Sequence, residues 1–421
     1  MQKNIILWIF LALASAAATS PAFSADLTGA PAAPAVTPAP TANDAYTLNL
    51  LYTGEAWDDA AGGLRRGGSY MYNIDGQLQV DTGKAFGWTG GMFEAEGFYA
   101  NAMSTGNKFV GALDQQSPID TAAGVAMFRL YQLFYDQNFG STDVRVGIYD
   151  LETEFSNTKP MALFLSKNHT WNTAFDQAGT MPENGTVGPG NYPYTPLAAR
   201  VRENFSPSVS VQLAIANGAS DNPKDLAQNG VVFAPAYGAL FLGEADYTPD
   251  KYTKLMLGGW ALTSKLPDFA QFNPDGSQRM TYGEAGGYVG GAMRLYNAGG
   301  RRGLDGFFTL GLSTPESTNV AGSFNTGLVY TGLLDARPAD KIGVSMNINE
   351  ASNDYRQWQA LQGNPIGTTE TSFEVTYRAK INDYLTVQPD IQYITGANYS
   401  HTLKNPVVLG IHFELGHVFE W

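Results

Sequence analysis

Residues Tyr70 to Asp81 read YMYNIDGQLQVD. Tyr70, Tyr72, Ile74, Leu78 and Val80 share one face of an extended chain, with Gly76 among them; Met71, Asn73, Asp75, Gln77, Gln79 and Asp81 share the other. Successive side chains of a strand point to opposite sides. An aromatic and aliphatic face is therefore backed by amides and carboxylates, as a strand between lipid and water requires. A half-buried strand in a soluble sheet also alternates, so recurrence has to decide.

The pattern recurs. Val209, Val211, Leu213 and Ile215 alternate with Ser210, Gln212 and Ala214. Ile342 to Asn349, Phe373 to Arg378 and Leu385 to Tyr393 alternate in the same way; some strands are less clear, and 125–138 carries apolar residues in both phases. Strands are expected near 46–55, 68–81, 90–101, 125–138, 143–151, 197–204, 208–217, 238–247, 253–263, 284–296, 305–313, 323–333, 341–349, 371–380, 384–395 and 405–421. Short turns such as 138–143, 204–208 and 381–383 alternate with longer segments rich in Gly, Asn, Pro and Thr, the longest being 152–196. The fold class expected is all-β: a 16-stranded antiparallel transmembrane β-barrel with short periplasmic turns and long extracellular loops. In the last strand Val407, Leu409, Ile411, Phe413, Leu415, Phe419 and Trp421 share a face. A terminal aromatic at that spacing suits a closing strand at the interfacial belt.

Residues 1–24 read as a secretory signal, with Lys3, an apolar run from Ile5 to Leu13 and small residues from Ala14. The run is shorter than the roughly 20 residues a spanning helix needs. Residues 25–45 form an Ala/Pro-rich leader that cannot pack a core, and 46–421 form the barrel. There are no cysteines, so an exported chain needs another source of stability, which a closed hydrogen-bonded barrel supplies. The net charge of −14 argues against a nucleic-acid partner.

No catalytic constellation emerges, and the chain is expected not to be an enzyme, with no cofactor and no metal. His169, His401, His412 and His417 are scattered, and Gly62 to Gly68 (GGLRRGG) resembles a phosphate loop in composition alone. What remains is a polar lining. Asp75, Glu94, Glu96, Arg145, Arg200, Arg202, Glu284, Arg294, Glu374 and Arg378 are the inward candidates, because Arg or Lys facing lipid at mid-bilayer costs roughly 2–4 kcal/mol. Each can serve as a structural ion pair on the wall or as a contact for a passing solute.

Several ordered blocks resemble the OprB-type carbohydrate-selective porins: Gly63 to Gly67 (GLRRG), Arg129 to Gln137 (RLYQLFYDQ), Val144 to Leu151 (VRVGIYDL) followed by Glu154-Phe155, Phe175 to Gly179, Ala199 to Arg202, and Gln388 to Tyr393. The resemblance implies a bacterial outer-membrane channel with a narrow waist, surrounded by outer-membrane lipid, through which small neutral sugars diffuse passively. It favours Arg65, Arg129, Arg145 and Glu154 as lining, with Trp171 on an infolded loop. The alternative is a general, non-selective diffusion porin. Monomer and homotrimer both stay open. The 152–196 loop, with Phe155, Phe164, Trp171 and Phe175, is expected to fold into the lumen, since it holds too many rings to leave in water.

Overall fold

A computed structural model describes residues 44–421 apart from 102, 114, 122–125, 168–172, 177–187, 191, 221–232 and 234. The expected signal and nearly all of the leader lie outside the described residues, as does Trp171.

Among the described residues, sixteen strands form one closed antiparallel barrel. They are β1 (Tyr46–Gly63), β2 (Gly67–Asp81), β3 (Gly91–Ala100), β4 (Met127–Asn138), β5 (Thr142–Ile148), β6 (Leu197–Ser206), β7 (Val209–Asn217), β8 (Ala239–Asp250), β9 (Thr253–Phe272), β10 (Gln278–Gly299), β11 (Arg302–Ser313), β12 (Val320–Thr331), β13 (Lys341–Ala351), β14 (Thr369–Lys380), β15 (Leu385–Thr395) and β16 (Lys404–Glu420). Each strand pairs with its neighbour in sequence, and β1 closes on β16 from Thr47↔Glu420 to Gly63↔Lys404. Closure removes the unpaired edge that a bilayer could not hydrogen-bond.

The faces are those the alternation predicts. Tyr70, Ile74, Leu213, Ile215, Val344, Val375, Ile391, Leu409, Ile411 and Leu415 are exposed on the outer wall. Their alternating neighbours, including Asn73, Gln212, Ser345, Glu374, Asp390 and His412, are buried within the barrel. Trp421 stacks on Tyr46 with ring centroids 5.8 Å apart, and its carbonyl accepts from the Ala45 and Tyr46 amides.

β4 is where periodicity alone fails, and the cause is local. The β3–β4 register shifts between Glu96↔Gln132 and Gly97↔Leu130. A bulge adds a residue and changes the phase of the strand around it. Arg129 and Tyr131 face the interior before the shift; Gln132, Phe134 and Asp136 do so after it.

The turns at the end bearing the chain termini are short, apart from the β12–β13 link and the one holding helix α1 (Thr82–Phe86). At the opposite end the expectation needs correction. Ser264 to Gly283 is no loop: β9 and β10 run on to Phe272 and from Gln278 as a projecting hairpin. Pro267 is accommodated there because it sits beside a register shift opposite Met280, where a missing N–H is tolerated.

Candidate functional site

The β5–β6 connection enters the barrel. Phe155, Phe164 and Phe175 are buried: Phe175 packs 5.4 Å from Trp260 and Phe164 lies 5.7 Å from Phe307, ring to ring. Helix α2 (Thr173–Asp176) lies against β10, β11 and β12. Polar wall residues fasten this segment. Glu244 accepts from the Ser156 amide (2.7 Å), and Glu374 from the Leu165 and Ser166 amides (2.7 and 3.0 Å). Gln388 donates to the Leu163 carbonyl (2.7 Å). A second segment, between β3 and β4, also turns inward: the Leu113 amide donates to Glu370 (2.8 Å) and Gln392 donates to the Gln116 carbonyl (2.9 Å).

The main charged site lies where the β5–β6 segment leaves the wall. Arg145 and Arg200 are directly paired across β5 and β6, a juxtaposition of like charges that needs anions between and around it. Asp136 on β4 accepts from Arg145 Nε (2.9 Å) and Nη2 (2.5 Å) and lies 3.5 Å from Arg200 Nη2. Asp143 pairs with Arg200 from the turn side. Glu154, carried in by the loop, lies 3.3 Å from Arg145 Nη1 and accepts from Arg200 Nη2 (3.0 Å) and Nε (3.2 Å). The Arg145 guanidinium also sits 4.0 Å from the Phe134 ring centroid. Burial pushes the Glu154 carboxyl up, but Arg145, then Arg200 and Arg202, outweigh it and hold it below the usual carboxylate range.

The network continues around the wall. Arg202 donates to Gln212 Oε1 (3.1 and 2.6 Å), and Gln212 donates to the Glu154 carbonyl (2.7 Å) and to Glu244 (3.2 Å). Lys254 bridges Glu244 (3.5 Å) and Asp246 (3.1 Å). Below the loop Arg202, Asp246 and Lys254 bound a cavity of about 290 Å³ together with Asn157, Lys159 and Tyr252. Its walls carry both signs of charge together with amides and hydroxyls.

The other expected lining residues divide. Glu94 and Glu96 stand on the inner face of β3, where Gln77, Gln79 and Gln132 donate to them. Arg129 is buried 4.7 Å from the Tyr194 ring centroid, against the loop's return. Arg65 is apart from all of these: it lies exposed on the β1–β2 hairpin at the loop end, over the Phe109 ring. Asp136, Asp143, Gln212, Glu244 and Lys254 were not among the sequence candidates. Asp136 and Asp143 stand within or beside the family-like blocks, but only the fold shows that they meet Arg145 and Arg200.

A closed barrel with an aliphatic and aromatic outside, a charged and amide-rich inside and a loop across its bore is an outer-membrane channel. The carbohydrate-selective porin model of the OprB family matches residues 65–416, and the chain belongs to that family. It is 26% identical over 407 residues to Porin B of Pseudomonas aeruginosa, covering 88% of this chain and 87% of that one. Among solved structures it resembles the high-pH structure of Pseudomonas putida OprB, with a TM-score of 0.79 at 22% identity over 88% of this chain and 94% of that one. The outer membrane channel DcaP of Acinetobacter baumannii shares the fold, with a TM-score of 0.51 at 7% identity over 88% and 96% of the two chains. The family and the barrel make the chain a sugar-selective outer-membrane channel.

Proposed function

We propose that small neutral sugars diffuse passively past the Arg145–Arg200–Glu154 cluster, with the termini on the periplasmic side and the long loops outside. The observation carrying this reading is the balance of the site. Arg145 and Arg200 are already met by Asp136, Asp143 and Glu154, so the lining offers many donors and acceptors without a large excess of one charge. Such a surface can exchange its hydrogen bonds with sugar hydroxyls, while aromatic rings can meet the C–H faces. Binding stays weak, because a channel must release what it binds. Glu94, Glu96, Arg129 and Arg202 serve in this reading as further polar lining, and Trp171 as a ring on the same loop.

The test is single-channel current in a planar bilayer with added glucose. Arg145→Ala is expected to reduce sugar-induced block while an open channel persists. Arg145→Lys keeps the charge but loses the planar fork and is expected to fall between the parent and Arg145→Ala. Unchanged block in both variants would show that the constriction lies elsewhere.

A further inference from the structure

The GLRRG turn is not part of the constriction, and its surroundings place it at the inner edge of the loop-end mouth. Gly62 and Gly63 both have positive φ (+81° and +60°), which glycine adopts without strain. A Cβ at Gly62 would lie 2.1 Å from the Asn405 carbonyl oxygen, and one at Gly63 would lie 2.5 Å from that of Phe109. The glycines therefore let the start of β16 and the helical turn Gly106–Val110 close on the hairpin tip. That turn lies on the inward side of β1 and β2. Thr105 at its start shares a hydrogen bond with Ser69, and Val110 packs with Trp57 and Met71. Ser69, Met71 and Trp57 are buried on the inner row. Gly67 is in phase with Ser69 and Met71, and a Cβ there would lie 2.5 Å from the Phe109 ring.

Exposed cations gather on this inner edge. Arg65 Nε donates to the Lys108 carbonyl (3.1 Å) with its guanidinium 4.9 Å from the Phe109 ring centroid, and its two Nη nitrogens have no partner among the described residues. Lys108 stands on the turn itself. Lys404 pairs with Gly63 and continues the inward row of β16 that holds Val408, His412 and Glu414. Among the described residues none of the three has a carboxylate within ion-pair distance. Of the described acids in these segments, Asp58 is on the outward row, and Asp59 and Asp120 are buried beneath the tip. The opposite side of the mouth is acidic. Asp268 on β9, Glu316 on the β11–β12 link and Asp354 on the helix Asn353–Leu361 cluster there; burial, then Glu316 and Asp268, push the Asp354 carboxyl up. β1 and β9 are eight staves apart in a ring of sixteen. Strands about 4.8 Å apart and tilted about 45° make that ring roughly 35 Å across. This is several Debye lengths at physiological salt, so those acids do not neutralise the cations.

We propose that Arg65, Lys108 and Lys404 form an entry subsite for sugars that carry a carboxylate, such as hexuronates, a second substrate class beside the neutral sugars. A guanidinium held by its Nε and a ring, with both Nη nitrogens open, suits a carboxylate. The two ammonium groups beside it raise the local concentration of monoanions at the mouth. The bore below needs no further element, since its charges are paired and its donors and acceptors suit the hydroxyls of either class. The inference rests on the passage of sugars through the bore, not on which end faces outward.

Liposomes holding the purified barrel would be equilibrated with glycerol, glucose and glucuronate at equal concentrations inside and out. Tracer exchange of each would be followed in about 10 mM and about 1 M salt, where the screening length is about 30 and about 3 Å. Passive exchange is equal in both directions, so the orientation of the barrel in the vesicle does not matter, and glycerol counts the open barrels. Lys108→Gln with Lys404→Gln removes two charges about 8 Å from the entering anion and should slow glucuronate about fourfold in low salt and hardly at all in high salt. Glucose and glycerol should be unchanged. Lys108→Arg with Lys404→Arg keeps the charge and should match the parent, as should Arg279→Gln on the projecting hairpin across the mouth. Glucuronate exchange unchanged in the glutamine pair, slowed equally in high salt, slowed together with glucose, or slowed as much in the arginine pair or in Arg279→Gln would each overturn the proposal. Glucose that fails to exchange while glycerol and glucuronate do so would instead overturn the neutral-sugar reading and leave this one standing.

Discussion

Glu154 stands between two arginines that would otherwise face each other across β5 and β6, and it comes from the loop rather than the wall. It therefore couples the loop's position to the charge state of the site. Its carboxyl is held below the usual range, so the stabilisation it gives is full at neutral pH, declines as the pH falls below the ordinary carboxylate value of the unfolded chain and is gone below the depressed folded value. In the folded barrel the group stays ionised until that lower value is reached. Sugar-induced block is accordingly expected to change little between about pH 7 and about pH 5 and to weaken in stronger acid. A loss centred in the ordinary carboxylate range would contradict the assignment. Arg200, only 2% exposed, is the more expensive residue to remove. Arg200→Ala leaves Asp143 and Glu154 short of a partner and should destabilise the barrel by about 3–5 kcal/mol, as for other broken buried pairs. Loss of strand circular dichroism on heating in detergent measures it. At this scale the sequence marks both arginines and Glu154 but not the aspartates that hold them, because strand pairing brings Asp136 and Asp143 to them.

At the scale of elements, alternation was readable wherever one outward row met lipid and one inward row met polar groups, as in β2, β7, β13 and β15. It fails in β4, where the bulge near Tyr131 moves the phase from odd to even positions. It also fails in β9 and β10 beyond Leu262, where the hairpin leaves the lipid and its outer row need not be apolar. There Phe269 packs instead on Tyr355 and Trp358 of helix α3 (Asn353–Leu361), capped by Ser352. Of the inward segments, the β5–β6 loop was legible from its length and rings; the β3–β4 segment, held through Leu113 and Gln116, carries no such excess. The closing strand supplies the test at this scale. Phe419 and Trp421 lie exposed on the outer wall beside the β1 seam. Deleting 419–421 should lower the yield of folded, heat-resistant barrel while surviving channels conduct and bind sugar as the parent does. Full assembly with altered conductance would place this strand wrongly.

For the molecule as a whole, closure satisfies the backbone, the outer face meets lipid, and the inner face is narrowed by two inward segments pinned to opposing carboxylates and amides. This narrowed, charge-balanced bore is expected to favour sugars over other solutes of the same size. Liposomes carrying the purified barrel, swollen in a series of neutral sugars of increasing size and in an amino acid matched in size to one of them, test it directly. The sugars should enter in order of size, and the matched sugar should enter clearly faster than the amino acid. Equal rates for the matched pair, with entry following size alone, would contradict selectivity and leave an unselective pore.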